Sequence, residues 1–435
     1  MEEGRLEPPV NKSVEATLAG NVVDADLVIR TATVATLEGP DGARDAAAAD
    51  ELSMEAGWTV AVKNGRITFV GPDDEWKGKA TRVIEARRKL VTPGYVDSHT
   101  HLVYGGDRNH ELKQKLQGRS YMEILQKGGG IMSTVRATRE ATNNQLEDSA
   151  ALRLRQMLAC GTTTVEAKSG YGLDTETELR ILDRHPAVSK KVGVPIVSTF
   201  LGAHAVPEEY KGKTEAYVDL VVDTMLPQVA DQQIARFCDV FVEKDVFTVE
   251  QGERILRKAR ELGFQVKVHA DELSNTKGAE LAAKVACLSA EHLIEVSDEG
   301  IAALAARGTI ATLTPTVPLT LMTKTWAPAK KLLDAHVPVA VATDHNPNNP
   351  VVDLQLAGQL SSYAMGLTPN QALTAVTWNA ACALDVQDKV GSIEVGKIAN
   401  LLVHDVAMPQ DWVASLGRNS ARAVILNGKL VPPLV

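Results

Sequence analysis

Between Leu90 and Asn346 the chain repeats one texture: a short apolar run, an amphipathic stretch of about ten to twenty residues, then another short run. That alternation is the pattern of β-α units with a parallel sheet. The apolar runs are Leu90–His101, Thr162–Ala167, Pro195–His204, Phe237–Glu243, Phe264–His269, Cys287–His292, Thr309–Thr314 and Pro338–Asp344. Eight such strands close a barrel. Helical patterns such as Leu146–Leu158, Glu250–Leu262 and Asp298–Ala306 separate most of them, and Leu354–Met365 and Gln371–Leu384 are expected to cover the barrel afterwards.

The two ends of the chain have a different texture. Ala25–Leu37 is an apolar run, and Trp58–Val62 faces Arg66–Val70 across Asn64-Gly65, the strongest short hairpin signal. Near the C-terminus Ala399–His404 is followed by Ala423–Leu426, which turns through Asn427-Gly428 into Lys429–Val431. The fold class expected is therefore α/β: a (β/α)8 TIM-like barrel with a smaller β-sandwich domain built from both chain ends. The boundaries read as 1–90 and 386–435 for the small domain and 91–385 for the barrel. Asp41–Gly57 has no clear strand pattern and reads as a surface excursion without chemistry.

Composition narrows the partners. The net charge is −9, so no general basic field is present to hold a polyanion, and nucleic acid is not an expected partner. No run approaches 18 apolar residues, and the acidic start lacks the pattern of a signal peptide. No membrane association is expected. Cys160, Cys238, Cys287 and Cys382 are far apart and form no Cys-x-x-Cys pair, as for reduced thiols in a cytoplasmic protein.

Polar residues interrupt the apolar runs where the strands end, and in a barrel those ends converge on one mouth. The first strand ends in Asp97-Ser98-His99-Thr100-His101. Residues two apart on a strand face the same side, so His99 and His101 can present two imidazoles to one ion. Later strands end in His269-Ala270-Asp271-Glu272, in Glu291-His292 and in Asp344-His345. Imidazoles with a carboxylate suit a divalent ion such as Zn²⁺, and Fe²⁺ accepts similar ligands.

The segments TPGYVDSHTHLVYGGDR, LQGRSYMEILQKGGGI, GTTTVEAKSGYGL, TFLGAHAVP, VKVHADEL, SAEHL and ATDHNP together resemble the amidohydrolase superfamily. Within it they are similar to the imidazolonepropionase family, over about Leu90 to Val395. His-x-His is common to many amidohydrolases, whereas GGDR, KSGYGL and GAHAVP are more specific. The resemblance implies one divalent transition metal per chain, Zn or Fe, held by His99, His101, His269 and Asp344. It implies hydrolysis of the cyclic amide of 4-imidazolone-5-propanoate to N-formimino-L-glutamate, with Asp344, His292 and Glu272 catalytic. It places Arg108, Tyr121, Tyr171, His204, Glu272, Asn346 and Asn348 around this small-molecule substrate, with Arg108 paired to its carboxylate, in a cytoplasmic homodimer. Lys244 matches no bridging lysine of a two-metal site, and Gly128-Gly129-Gly130 lacks the Lys-Ser/Thr of a phosphate loop and reads as an unusual turn.

Asn348 stands where the family usually has Gly, at a position that a positive φ would suit. Two other readings are compatible with the same residues. One is an amidohydrolase-type deaminase of a cytosine-like or guanine-like base, which would release ammonia; the other is a catalytically inactive barrel used as a scaffold.

Overall fold

The computed structural model of the chain describes residues 24–119 and 129–432. Tyr121 and Gly128 lie outside them. Eight parallel strands form the barrel in chain order: β6 (Tyr95–Asp97), β7 (Thr162–Lys168), β8 (Ile196–Ala203), β9 (Phe237–Val242), β10 (Gln265–Ala270), β11 (Ser289–His292), β12 (Ile310–Leu313) and β13 (Val339–Val341). A parallel bridge between Thr100 and His345 closes the circle, supported by Asp344 N–H to His99 O (3.0 Å) and His101 N–H to His345 O (2.8 Å). The barrel is thus sewn shut beside the residues at its mouth.

The expected run Leu90–His101 is two strands in two sheets. β5 (Leu90–Pro93) pairs with strands of the small sheet, and the chain then passes through Gly94 into β6. A Cβ at Gly94 would run into the side chain of Thr163, so only glycine lets the backbone cross that closely. The small sheet also contains β1 (Ala25–Ala35), β2 (Met54–Lys63), β3 (Arg66–Pro72), β4 (Ala80–Glu85), β14 (Leu401–His404), β15 (Ala421–Leu426) and β16 (Lys429–Leu430). Both hairpin signals hold: Asn64-Gly65 and Asn427-Gly428 all have positive φ, as a two-residue primed turn requires. The two ends join in one continuous mixed sheet. β1 makes this possible, because its pairing slips around Thr31 (φ 53°), so its first half pairs with β4 and its second half with β5. Leu27, Ile29, Val34, Val60, Val91, Leu401 and Ile425 pack together as the core of this sheet.

Two other expectations are corrected. The stretch Asp41–Gly57 is not merely a surface excursion, since Met54–Gly57 is already β2 and Arg44, Ala49 and Leu52 are buried. Arg44 donates to Leu37 O, while its backbone exchanges hydrogen bonds with the Asn379 side chain, which docks the segment on a helix following the barrel. Gln371–Leu384 is two helices, Pro369–Ala375 and Trp378–Ala383, because Thr377 leaves helical geometry (φ −128°, ψ −85°). Among the described residues no helix is long and apolar enough to cross a membrane.

His185 and His404 lie buried away from the mouth, and burial pushes each imidazole down to about 3. An unfolded histidine titrates near 6.5, so below that pH the unfolded chain takes up protons that the fold refuses. Each group therefore contributes stability present above about pH 6.5, lost as pH falls toward 3 at about 1.4 kcal/mol per pH unit. His404 accepts or donates to Thr92 and Ser420, contacts that an amide can keep. In urea unfolding between pH 6 and pH 4, His404→Gln should show a shallower fall of stability than the parent by about that slope. An identical slope would contradict the assignment.

Candidate metal centre

Four of the eight strand ends deliver these groups to the mouth, each for a local reason. His99 and His101 follow β6 on the segment that closes the barrel, His269 is the penultimate residue of β10, and His292 is the last of β11. His292 and Asp344 both have positive φ (71° and 49°), which turns the chain sharply as the strands end. Non-glycine residues rarely hold that conformation, and it recurs at functional sites.

The nitrogens and the carboxylate converge. His99 Nε2 and His101 Nε2 each lie 3.4 Å from Asp344 Oδ1. Ligand-capable atoms of His99, His101 and Asp344 fall within 4.8 Å of one another, as do those of His99, His269 and His292. His99 Nε2, His269 Nε2, His292 Nε2 and Asp344 Oδ1 are buried without a hydrogen-bond partner. Buried polar atoms are ordinarily satisfied, so orphans sharing one small space mark the place of an absent cation. Burial holds the His99, His101 and His269 imidazoles well below their ordinary value, which leaves them neutral with a lone pair to donate. Burial, then the nearby Glu272, drives the Asp344 carboxyl well above the carboxylate range. The donor set fits a divalent ion.

His292 stands among these rings, 5.0 Å from those of His99 and His269. Its Nδ1 is 3.0 Å from Thr314 Oγ1, and Glu272 Oε2 lies 3.8 Å from its Nε2. Burial lowers His292 to about 4, while burial and Glu243 raise Glu272 to about 8. Glu243 also accepts the backbone N–H groups of Leu273 and Ser274, fixing the turn that carries Glu272.

His204 stacks on His101 at 4.9 Å with the rings 19° from parallel, and its Nδ1 lies 3.0 Å from Gly170 O. Tyr171 is buried beside both, 5.7 Å from the His101 ring and 5.2 Å from the His204 ring. Arg108 is buried and donates through Nε and Nη2 to Glu111 Oε2 (3.0 and 2.7 Å), while Glu111 Oε1 accepts from Gly130 N (2.7 Å). Gly130 has φ 68° and ψ −153°, a conformation for glycine alone, as the unusual-turn reading expects. Asn346 spends its side chain on its own loop, donating to Asp344 O and accepting from the backbone N–H of Asn348 and Asn349. Asn348 has no positive φ, so glycine is not required there, and its Oδ1 accepts from Lys115 Nζ. Lys244 is exposed. Tyr121 falls outside the described residues.

Sequence reasoning missed the layer beneath the histidines: Glu166, Lys168, Asp239, Lys267 and Glu291 are all fully buried. The signal was present, because Glu166 and Lys168, or Lys267 and His269, are two apart on apolar strands and so face inward together. Charged groups seldom sit there unless paired. It also missed Asp97, whose carboxylate takes both the N–H and the hydroxyl of Thr343 (3.0 and 2.6 Å) next to Asp344.

A family model for the amidohydrolase family matches residues 90–431. The chain is 48% identical over 376 residues to an imidazolonepropionase of Treponema denticola, covering 86% of this chain and 91% of that one. It is 46% identical over 382 residues to an imidazolonepropionase of Streptococcus sanguinis, covering 87% and 90%. Among solved structures it is similar to a zinc-bound adenosine deaminase of Xanthomonas campestris (TM-score 0.69, 21% identity, 94% and 93% covered). It is also similar to a 5-methylcytosine deaminase of Klebsiella pneumoniae (TM-score 0.72, 17% identity, 94% and 98% covered). At those identities the solved structures speak to the fold alone.

Proposed function

The chain belongs to the amidohydrolase family, in its imidazolonepropionase branch, and from that premise we propose that it hydrolyses the cyclic amide of 4-imidazolone-5-propanoate to N-formimino-L-glutamate in histidine degradation. One observation carries the chemistry: unpartnered, buried donor atoms of His99, His269 and Asp344 meet beside His101 at the end of the barrel. These four residues would hold one divalent ion, Zn or Fe. When bound, such an ion makes water a nucleophile at neutral pH by lowering its pKa from 15.7 to about 7.

The remaining work falls to side chains. Asp344, whose carboxyl ionises when a cation lies against it, accepts a proton from the attacking water and returns it to the departing ring nitrogen. Water oxygen bonds to the ring carbonyl carbon, the C–N bond breaks, and that nitrogen leaves with the proton, so no ammonia is formed. His292, neutral and held through Nδ1 by Thr314, orients the water or the carbonyl. Glu272, whose carboxyl is protonated up to about pH 8, donates to a ring nitrogen. Tyr171 and His204 flank the flat ring, and Asn346 and Asn348 shape the loop at its edge. Tyr121 is a substrate contact by its motif alone, outside the described residues. Arg108 takes the propionate through charge-assisted hydrogen bonds, which this acidic chain needs. We place the protein in the cytoplasm, as a homodimer acting on a small molecule.

The test is to incubate purified protein with imidazolonepropionate and follow its ultraviolet absorbance together with ammonia. Loss of absorbance, with formiminoglutamate appearing in equal amount and no ammonia, is expected. Stoichiometric ammonia would instead identify a deaminase, and an unchanged substrate an inactive barrel.

A further inference from the structure

Beneath the mouth, five charged side chains from four strands lie at 0% exposure: Glu166 and Lys168 on β7, Asp239 on β9, Lys267 on β10 and Glu291 on β11. Lys168 Nζ is 2.9 Å from Glu166 Oε1, 2.8 Å from Asp239 Oδ2 and 3.4 Å from Glu291 Oε2. Lys267 Nζ lies 3.3 Å from Glu166 Oε1 and from Glu291 Oε1. Thr199 and Ser289 donate their hydroxyls to Glu166 and Glu291 (2.5 and 2.6 Å). Burying such a network stabilises a fold no better than apolar side chains of similar volume, so its presence calls for a local use.

The use is visible in what the carboxylates touch. Glu291 Oε2 meets His99 Nδ1, on the far side of the ring from the Nε2 that faces Asp344. A neutral imidazole has one N–H. An ionised carboxylate at Nδ1 claims that proton and leaves the lone pair on Nε2, where an ion would take it. Asp239 stands likewise behind His269: Oδ2 is 2.9 Å from Nδ1, out of line for a full hydrogen bond, while Oδ1 accepts the backbone N–H of His269 at 3.1 Å. The Lys168 ammonium lies against both carboxylates and that of Lys267 against Glu291.

We propose that Glu291, with Asp239, is a positioning residue that fixes which nitrogen the ligand histidines present, and that Lys168 and Lys267 hold these carboxylates in place. The proposal rests on the reading of the mouth as a metal centre. A glutamine at 291 is nearly isosteric, but its amide N–H can face Nδ1 and move the imidazole proton to Nε2.

The test compares the parent with Glu291→Gln and Ser289→Ala, the second removing only the hydroxyl that orients Glu291. Affinity for Co²⁺ is measured by competition with a chelator, alongside the visible spectrum of the Co²⁺ form and the melting temperature of metal-free protein. Glu291→Gln should bind Co²⁺ about 10- to 100-fold more weakly, with a shifted spectrum, and its metal-free melting temperature should fall because two buried ammonium groups lose a counter-charge. Ser289→Ala should lose affinity in the same direction and by less. Unchanged affinity and spectrum in Glu291→Gln, whether or not its melting temperature falls, would overturn the proposal and leave the metal centre standing. A parent protein that binds no Co²⁺ would contradict the metal reading itself.

Discussion

His269→Ala is expected to lose bound metal and turnover together, whereas Glu272→Gln should keep the metal and lose turnover. The two residues lie three apart in one motif, yet the structure gives them different surroundings. His269 Nε2 is buried among the other donor atoms with no partner of its own, so deleting the ring removes a ligand and opens a cavity in the cluster. Glu272 stands beyond that cluster, against His292 and at 14% side-chain exposure. A glutamine there fills the same volume but holds no acidic proton. Loss of a positioned proton donor costs about 10²- to 10⁴-fold in rate. Elemental analysis and steady-state kinetics on both variants separate these effects. Full activity in Glu272→Gln would remove it from the chemistry, and full metal content in His269→Ala would remove His269 from the ligand set.

Arg108→Met is expected to lower kcat/KM for imidazolonepropionate by roughly 30-fold to several thousand-fold, the equivalent of about 2–5 kcal/mol for truncating one partner of a buried charge pair. The same change should matter little for an analogue whose carboxylate is a neutral amide, and metal content should not move. Arg108 sits at the start of the helix Asn109–Leu116, clamped by Glu111, which is tied in turn to Gly130. That clamp fixes the guanidinium plane. It also gives the competing outcome a definite form, because removing Arg108 leaves the Glu111 carboxylate buried without this partner. If the substitution acts only by disturbing that pair, both compounds lose rate equally, and the propionate is recognised elsewhere.

Much of this was legible in the sequence because barrel strands are short apolar runs whose polar ends are chemically conspicuous. All eight runs became strands or strand segments, and His99, His101, His269, His292 and Asp344 stand together at one mouth. The errors have physical causes. Leu90–Val96 carries no charged residue, so no polar alternation marks the passage from one sheet to another; the signal was Gly94, whose missing side chain admits Thr163. Asp41–Gly57 is rich in alanine and has no period, and its docking depends on the Asn379 side chain, 335 positions from Arg44. The charged layer below the histidines was marked only by spacing, Lys168 two residues from Glu166 and Lys267 two from His269 on apolar strands. Its pairing is visible only in the barrel, which brings Glu166, Asp239 and Glu291 around the two lysines. Asn348, by contrast, stands without strain at a position expected to suit glycine, because its backbone never enters the left-handed region.

One ion, held by His99, His101, His269 and Asp344, is expected to support ring opening without release of ammonia. The measurement is a titration of metal-stripped protein with Zn²⁺ or Fe²⁺, following imidazolonepropionate absorbance and ammonia. Hydrolysis should rise linearly and stop rising at one ion per chain, with no ammonia at any point. A break at two ions per chain, or ammonia in step with substrate loss, would contradict it.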